Sequence, residues 1–138
     1  MTDVAYIALG SNLGNRELAL ARARAAIAAI RDTRLIAATE VEETEAIGPI
    51  SQGKFLNQMV AVSTTLPPRT LLAALHRIER AAGRVRAIRW GPRTLDLDIV
   101  MLDGTEYADD ALVIPHPELP NRDFWQRQLA QLRGVTLA

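Results

Sequence analysis

The sequence predicts an α+β domain in which helices pack on an antiparallel sheet, built in the split order βαββαβ. Three observations lead there. Short apolar runs end at Gly-, Asn- or Pro-containing turns, as strands do. Two stretches carry apolar residues at the 3- and 4-residue spacing of a helix face. The second and third apolar runs follow one another with only a loop between, so those strands are neighbours without a crossover helix, which an all-parallel sheet does not allow.

In chain order, Ala5 to Leu9 is the first strand, stopped by Gly10-Ser11-Asn12-Leu13-Gly14-Asn15. Leu20, Ala23, Ile27 and Ile30 mark one face of a first helix over about Arg16 to Arg31, with Asn15 placed to cap it. Leu35 to Thr44 reads as the second strand, Ile47 to Gly53 as a loop and Phe55 to Thr64 as the third strand. Pro67-Pro68 opens a second helix, where proline is tolerated in the first turn. Leu71, Leu75, Ile78 and Ala82 form its apolar stripe, and Gly83 is placed to end it. Thr94 to Met101 is the fourth strand. A turn at Asp103-Gly104, a loop from Pro115 to Pro120 and a last helix from about Asp123 to Leu132 follow. This is the ferredoxin-like pattern.

With 138 residues the chain is expected to form a single domain, 1–138, around one core. Sixteen basic and sixteen acidic residues cancel, so no overall field draws it to nucleic acid or to an anionic membrane. The absence of cysteine excludes disulfides, thiolate nucleophiles and Cys-ligated zinc; any metal must take oxygen or histidine ligands. No segment approaches a membrane span and the N-terminus lacks a basic leader, so a cytoplasmic location is expected. Fifteen of the sixteen cations are Arg, a bias of composition, so arginine identity alone carries little information.

The chemistry is concentrated in Arg84-Val-Arg86-Ala-Ile-Arg89-Trp90-Gly91-Pro92-Arg93-Thr94-Leu95-Asp96-Leu97-Asp98-Ile99. Leu95, Leu97, Ile99 and Met101 alternate with Asp96, Asp98 and Val100, which sets both carboxylates on one sheet face, about 6.5 to 7 Å apart at the backbone. Two such groups repel each other and call for cations. Oxygen-only ligation suits magnesium, while a solvated polar face produces the same Asp-x-Asp pattern. Four arginines leading directly into the pair would supply planar donors to phosphate oxygens, the composition of a polyphosphate site. An arginine-rich solvated loop is the alternative, and against it stand Trp90 and the rigid Gly91-Pro92.

The segment R-x-R-x-x-R-W-G-P-R-T-L-D-L-D-I closely resembles the signature of the hydroxymethyl-dihydropterin pyrophosphokinases. Gly10 to Asn15 resembles that family's first turn. Thr44, Gly48, Gln52, Phe55 and Asn57 fit its T-x3-G-x3-Q-x2-F-x-N spacing, and Pro115-His116-Pro117 with Arg122 and Phe124 fits its P-H-P-x4-R-x-F pattern. The resemblance spans about residues 4 to 130 and implies the ferredoxin-like fold read above. It also implies transfer of pyrophosphate from ATP to 6-hydroxymethyl-7,8-dihydropterin, with release of AMP, in folate biosynthesis.

The resemblance further implies that Asp96 and Asp98 hold two magnesium ions on the ATP phosphates, and that Arg84, Arg86, Arg89, Arg93 and Arg122 touch or close over the triphosphate. Phe55 and Phe124 would sandwich the pterin. Asn57, Thr44 and the backbone near Ile47 would read its edge, with Trp90 covering the site. His116 would contact the phosphate next to the leaving AMP, while Glu79 and the backbone of Ile99 help hold the nucleoside. Read without the family, His116 is a loop histidine in water, and Phe55 and Phe124 are equally core-filling residues. The family usually has an aromatic and then a proline around the threonine, where this chain has Glu42 and Ala46; after Phe124 the usual apolar run reads Trp125-Gln126-Arg127-Gln128-Leu129. These departures leave open a paralogue acting on another pterin, or a non-catalytic pterin- or nucleotide-binding module. An RNA-binding domain of this fold would display aromatic and basic residues where Asp96 and Asp98 stand. The expected partners are ATP and a reduced pterin, with no nucleic acid and no membrane, acting as a monomer.

Overall fold

The computed structural model describes residues 3–45, 52–83 and 94–136. Strand β1 (Asp3–Ser11) and helix α1 (Arg16–Ala28) come first, then strands β2 (Thr33–Ala38), β3 (Glu42–Thr44) and β4 (Phe55–Thr64). Helix α2 (Pro68–Ala81), strand β5 (Asp96–Leu102), a small hairpin of β6 (Tyr107–Ala108) and β7 (Val113–Ile114), and helix α3 (Asp123–Thr136) complete the order. The sheet runs β2-β4-β1-β5 with β3 also paired to β4, and every pairing is antiparallel. The α+β order expected from the sequence is therefore present.

Alternation along the strands sends residues to two faces, and helices cover both. On one face Ile7, Leu9, Val60, Val62, Leu97 and Ile99 meet Leu20 and Ile27 of α1 and Leu71 and Leu75 of α2. On the other, Tyr6, Ala8, Met59, Ala61 and Val100 lie beneath Trp125, Leu129 and Leu132 of α3. Leu20, Ile27, Leu71 and Leu75 are fully buried, each contributing about 1.5–3 kcal/mol of transfer free energy. The sequence pattern assigned the first two helices to the sheet but left the place of the third open. α3 makes the second face an interior one, and the candidate site lies on this face.

Local details explain where the expected boundaries shift. α1 closes at Ala28, short of Arg31, because the chain turns there through Asp32 at φ 55, a left-handed conformation that Asp adopts more readily than most residues. Asn15 caps the helix as expected, its Oδ1 accepting from the Leu18 N–H at 3.1 Å. Gly83, at φ +82, terminates α2 and donates its N–H to the Arg80 carbonyl at 3.0 Å. The expected single strand from Leu35 to Thr44 is instead two strands broken at Thr39–Val41. Thr39 is buried; its Oγ1 accepts from the Met59 N–H at 3.0 Å and its carbonyl accepts from Gln58 Nε2 at 2.6 Å. Its N–H also donates to the Met59 carbonyl at 2.9 Å, so Thr39 stays tied to β4 by a mixture of backbone and side-chain bonds where the regular ladder stops.

β5 also departs from strict alternation. Tyr6 faces Met101 while Ile7 faces Ile99, so Val100 bulges out of the pairing with β1. Met101 therefore turns with Val100 to the α3 side, and Leu102 returns to the α1–α2 core. A bulge of this kind bends a strand and re-aims the side chains beside it. Asp96 and Asp98 precede it and keep a common face.

Candidate active site

The site is a trough across the α3 face of the sheet, and its floor follows from strand register. Gly10 lies opposite Asp96 on β5 and opposite Asn57 on β4, and Asn57 lies opposite Glu42 on β3. One pleat along, Ala8 lies between Asp98 and Met59. Directly opposed residues project to the same face, so Asp96, Asp98, Asn57 and Glu42 share it with Phe55, two residues before Asn57. Gly10 forms the low ground between Asp96 and Asn57, while Ala8, one pleat along, is covered by α3. A Cβ at Gly10 would meet Asn57 Oδ1 and the Phe55 ring, each at 3.4 Å, so the missing side chain keeps that gap open.

The far wall is held by short polar contacts. Asn57 Nδ2 donates to Thr44 Oγ1, and Thr44 is the register partner of Phe55. That bond leaves the Asn57 carbonyl oxygen turned toward Gly10. Asn12 Nδ2 donates to Gln52 Oε1 at 2.7 Å and to the Gly53 carbonyl at 3.0 Å. The turn after β1 is thereby tied to the chain entering β4.

The near wall combines a carboxylate, an imidazole and aromatic rings packed edge to face. His116 Nε2 is 3.6 Å from Asp98 Oδ1. Its backbone N–H donates to the Val100 carbonyl at 2.9 Å, and its Nδ1 accepts from the Glu118 N–H at 3.1 Å. Because Nδ1 is an acceptor, a neutral His116 carries its proton on Nε2, the nitrogen beside Asp98. The imidazole meets Trp125 edge-on, with centroids 4.9 Å apart at 85°, and the Arg122 guanidinium lies 4.3 Å from the centre of the same indole ring. Phe124, half-buried, packs edge-on to Trp125 at 6.3 Å. Arg122 Nε is buried with no hydrogen-bond partner among the described residues.

Glu79 reaches the region from the other side. It is 3% exposed on α2, and its Oε2 accepts the Leu97 N–H at 2.8 Å, between the two aspartates at the outer edge of β5. The structure thus brings Asp96, Asp98, His116, Arg122, Phe124, Phe55, Asn57 and Thr44 to one face, with Glu79 and the backbone of Ile99 behind the carboxylates. Ile47, Arg84, Arg86, Arg89, Trp90 and Arg93 lie outside the described residues.

The donor set can be tested for magnesium. Among the described residues no group of three or more His, Cys, Asp or Glu forms a metal-binding cluster. Two carboxylates on one strand leave most of an octahedral shell to water and phosphate oxygens, and magnesium is usually bound in that way. The residues fit it.

Sequence reasoning missed two features. Trp125 was read only as a departure from an apolar run, yet it is the platform on which His116, Arg122 and Phe124 converge; a large aromatic in a chain with 4% aromatics was the available signal. Glu42, Arg127 and Gln128 meet across 85 and 86 residues of sequence, and no local pattern encodes that contact. Among the described residues no helix is long and apolar enough to cross a membrane.

Comparison with known proteins gives a consistent picture. Residues 6–134 match the family model for 7,8-dihydro-6-hydroxymethylpterin-pyrophosphokinase. The chain is 40% identical over 135 residues to the 2-amino-4-hydroxy-6-hydroxymethyldihydropteridine pyrophosphokinase of Bacillus subtilis, covering 96% of this chain and 79% of that protein. Proteins of the same name from Pseudomonas aeruginosa and Haemophilus influenzae are each 41% identical. The first aligns over 133 residues, 96% of this chain and 82% of the relative; the second aligns over 120 residues, 87% and 75%.

Proposed function

The chain belongs to the 7,8-dihydro-6-hydroxymethylpterin-pyrophosphokinase family, and from that membership we propose how its residues divide the work of the reaction. The enzyme is an ATP-dependent pyrophosphokinase of folate biosynthesis that moves pyrophosphate onto hydroxymethyldihydropterin. The observation that carries the assignment of the site is the row Asp96–Gly10–Asn57. A carboxylate and a hydrogen-bonding amide face each other across a position without a side chain, and through that gap the pterin would approach the phosphates.

Asp96 and Asp98 would hold magnesium, two ions in this reading, and when bound there the metal neutralises phosphate charge and keeps the oxygens in line. The residues of the chain do the rest by orientation. Asn57, fixed by Thr44, would offer its carbonyl oxygen to the donor edge of the pterin, and the backbone near Ile47 would read that edge with it. Phe55 and Phe124 give the heteroaromatic two faces to stack on. Arg122, resting on Trp125, would supply planar donors to the triphosphate together with Arg84, Arg86, Arg89 and Arg93, and Trp90 would cover the site. His116 presents Nε2–H next to Asp98, where the phosphate nearest the departing AMP would lie. Glu79 holds the Leu97 N–H; the backbone of Ile99, two residues on along the same strand, would meet the nucleoside. The positioned hydroxymethyl oxygen attacks the β-phosphorus, the α–β bridge breaks, and alignment with charge neutralisation lowers the barrier. We further propose that the whole chain acts as one domain, as a monomer, in the cytoplasm.

Calorimetry tests the division. A non-hydrolysable ATP analogue should bind only with magnesium, and reduced pterin should bind more tightly once that complex has formed. Nucleotide binding indifferent to magnesium would sink the metal assignment, and absence of pterin binding would sink the acceptor subsite.

A further inference from the structure

We infer that Glu42, Arg127 and Gln128 form a clasp that positions Phe124 over the acceptor subsite; this rests on the placement of the pterin proposed above. Arg127 Nη2 donates to Glu42 Oε1 at 2.7 Å, and Gln128 Nε2 donates to Glu42 Oε2 at 3.3 Å. Glu42 thus bridges two consecutive residues of α3 with its two oxygens. The bridge starts from the site itself, because Glu42 is the register partner of Asn57 and lies two residues before Thr44.

Helical spacing carries the consequence. Arg127 and Gln128 lie three and four residues after Phe124, the separations that place side chains on one face of a helix. Holding both to β3 sets the rotation of the first turn of α3, and with it the ring of Phe124. An exposed ion pair alone does little, and the Arg127 side chain is 62% exposed. Gln128 is what makes the contact directional, being 2% exposed with its Oε1 buried and unbonded among the described residues. A carboxylate only accepts hydrogen bonds, so the amide must turn its Nε2 to Glu42 and leave Oε1 without a donor. Tolerating an unbonded buried oxygen is costly, and it marks the amide as held in this orientation by Glu42. The two departures from the family's apolar pattern, one on β3 and one on α3, are in this way two halves of a single contact.

The experiment compares Glu42→Ala, Arg127→Ala and the charge-reversed pair Glu42→Arg/Arg127→Glu with the parent enzyme. Two readouts are followed: steady-state constants for each substrate, and amide hydrogen exchange at residues 124–128 of the ligand-free protein. Each single variant should raise the pterin KM about 5- to 10-fold while kcat and the ATP KM stay within about 2-fold, and exchange in that turn should quicken. The reversed pair should restore both readouts, since Gln128 can flip its amide and offer Oε1 to a guanidinium. Unchanged exchange in both single variants, or a reversed pair no better than the singles, overturns the clasp. Exchange that quickens and is restored while the pterin KM never moves overturns the acceptor placement instead, and the two failures are thereby told apart.

Discussion

Replacing Asp98 by Asn removes one charge from the trough and little else. Asn is the same size and keeps an oxygen on the side of His116 Nε2, which lies 3.6 Å from Asp98 Oδ1, so the packing survives. Two carboxylates about 7 Å apart repel by about 2 kcal/mol at an effective dielectric of ~20. The Asp98 side chain is 30% exposed, and solvent screening reduces that to below about 1 kcal/mol. The ligand-free variant should therefore be as stable as the parent, or melt up to about 3–5 °C higher. Turnover moves the opposite way. Losing one pre-aligned charge that faces the transferring phosphates costs on the order of 10³-fold in kcat, about 4 kcal/mol. Thermal melts without ligand and AMP formation with both substrates read the two halves separately. A folded Asp98→Asn enzyme within tenfold of normal turnover would refute the charge assignment, and a lower melting temperature would refute the idea that the carboxylates strain one another.

Phe124→Ala should weaken pterin binding by about 1–3 kcal/mol, roughly 5- to 150-fold in Kd, and leave the nucleotide unaffected; a loss confined to ATP in titration calorimetry would put Phe124 in the other subsite. Away from the trough, the Asp109 carboxylate accepts from the Tyr107 hydroxyl, from Arg69 and from the Ala111 N–H, and these bonds hold its pKa far below the ordinary 3.8. Because the folded pKa is depressed, this stabilisation is present above the unfolded value and is lost as pH falls beneath it. The melting-temperature gap between parent and Asp109→Asn should be constant above about pH 5 and shrink below about pH 3.8. A gap that widens in acid would contradict the bonding seen around Asp109.

Much of this arrangement was legible in the sequence because it rests on periodicity and punctuation. The alternation through Leu95–Ile99 set Asp96 and Asp98 on one face, Asn15 and Gly83 bounded the helices, and the two adjacent strands implied antiparallel pairing. Features decided by partners far along the chain were not legible. Thr39 reads as an ordinary β-branched strand residue until Met59 is known to lie beside it. The bulge at Val100 depends on β1 and is invisible in β5 alone. Glu79 is named by the family resemblance, but its burial against Leu97, which joins α2 to the strand of the aspartates, cannot be read from α2 alone. Glu42 and Arg127 each look like solvated charges, and only the fold makes them one contact.

The central claim is that the charges of the trough direct cleavage between the α- and β-phosphates. Chromatography of the nucleotides after one incubation with ATP, magnesium and hydroxymethyl-dihydropterin tests it most directly. AMP should form one-for-one with pterin diphosphate and should be nearly absent when the pterin or magnesium is omitted. ADP as the main product, or AMP appearing equally fast without pterin, would contradict the account.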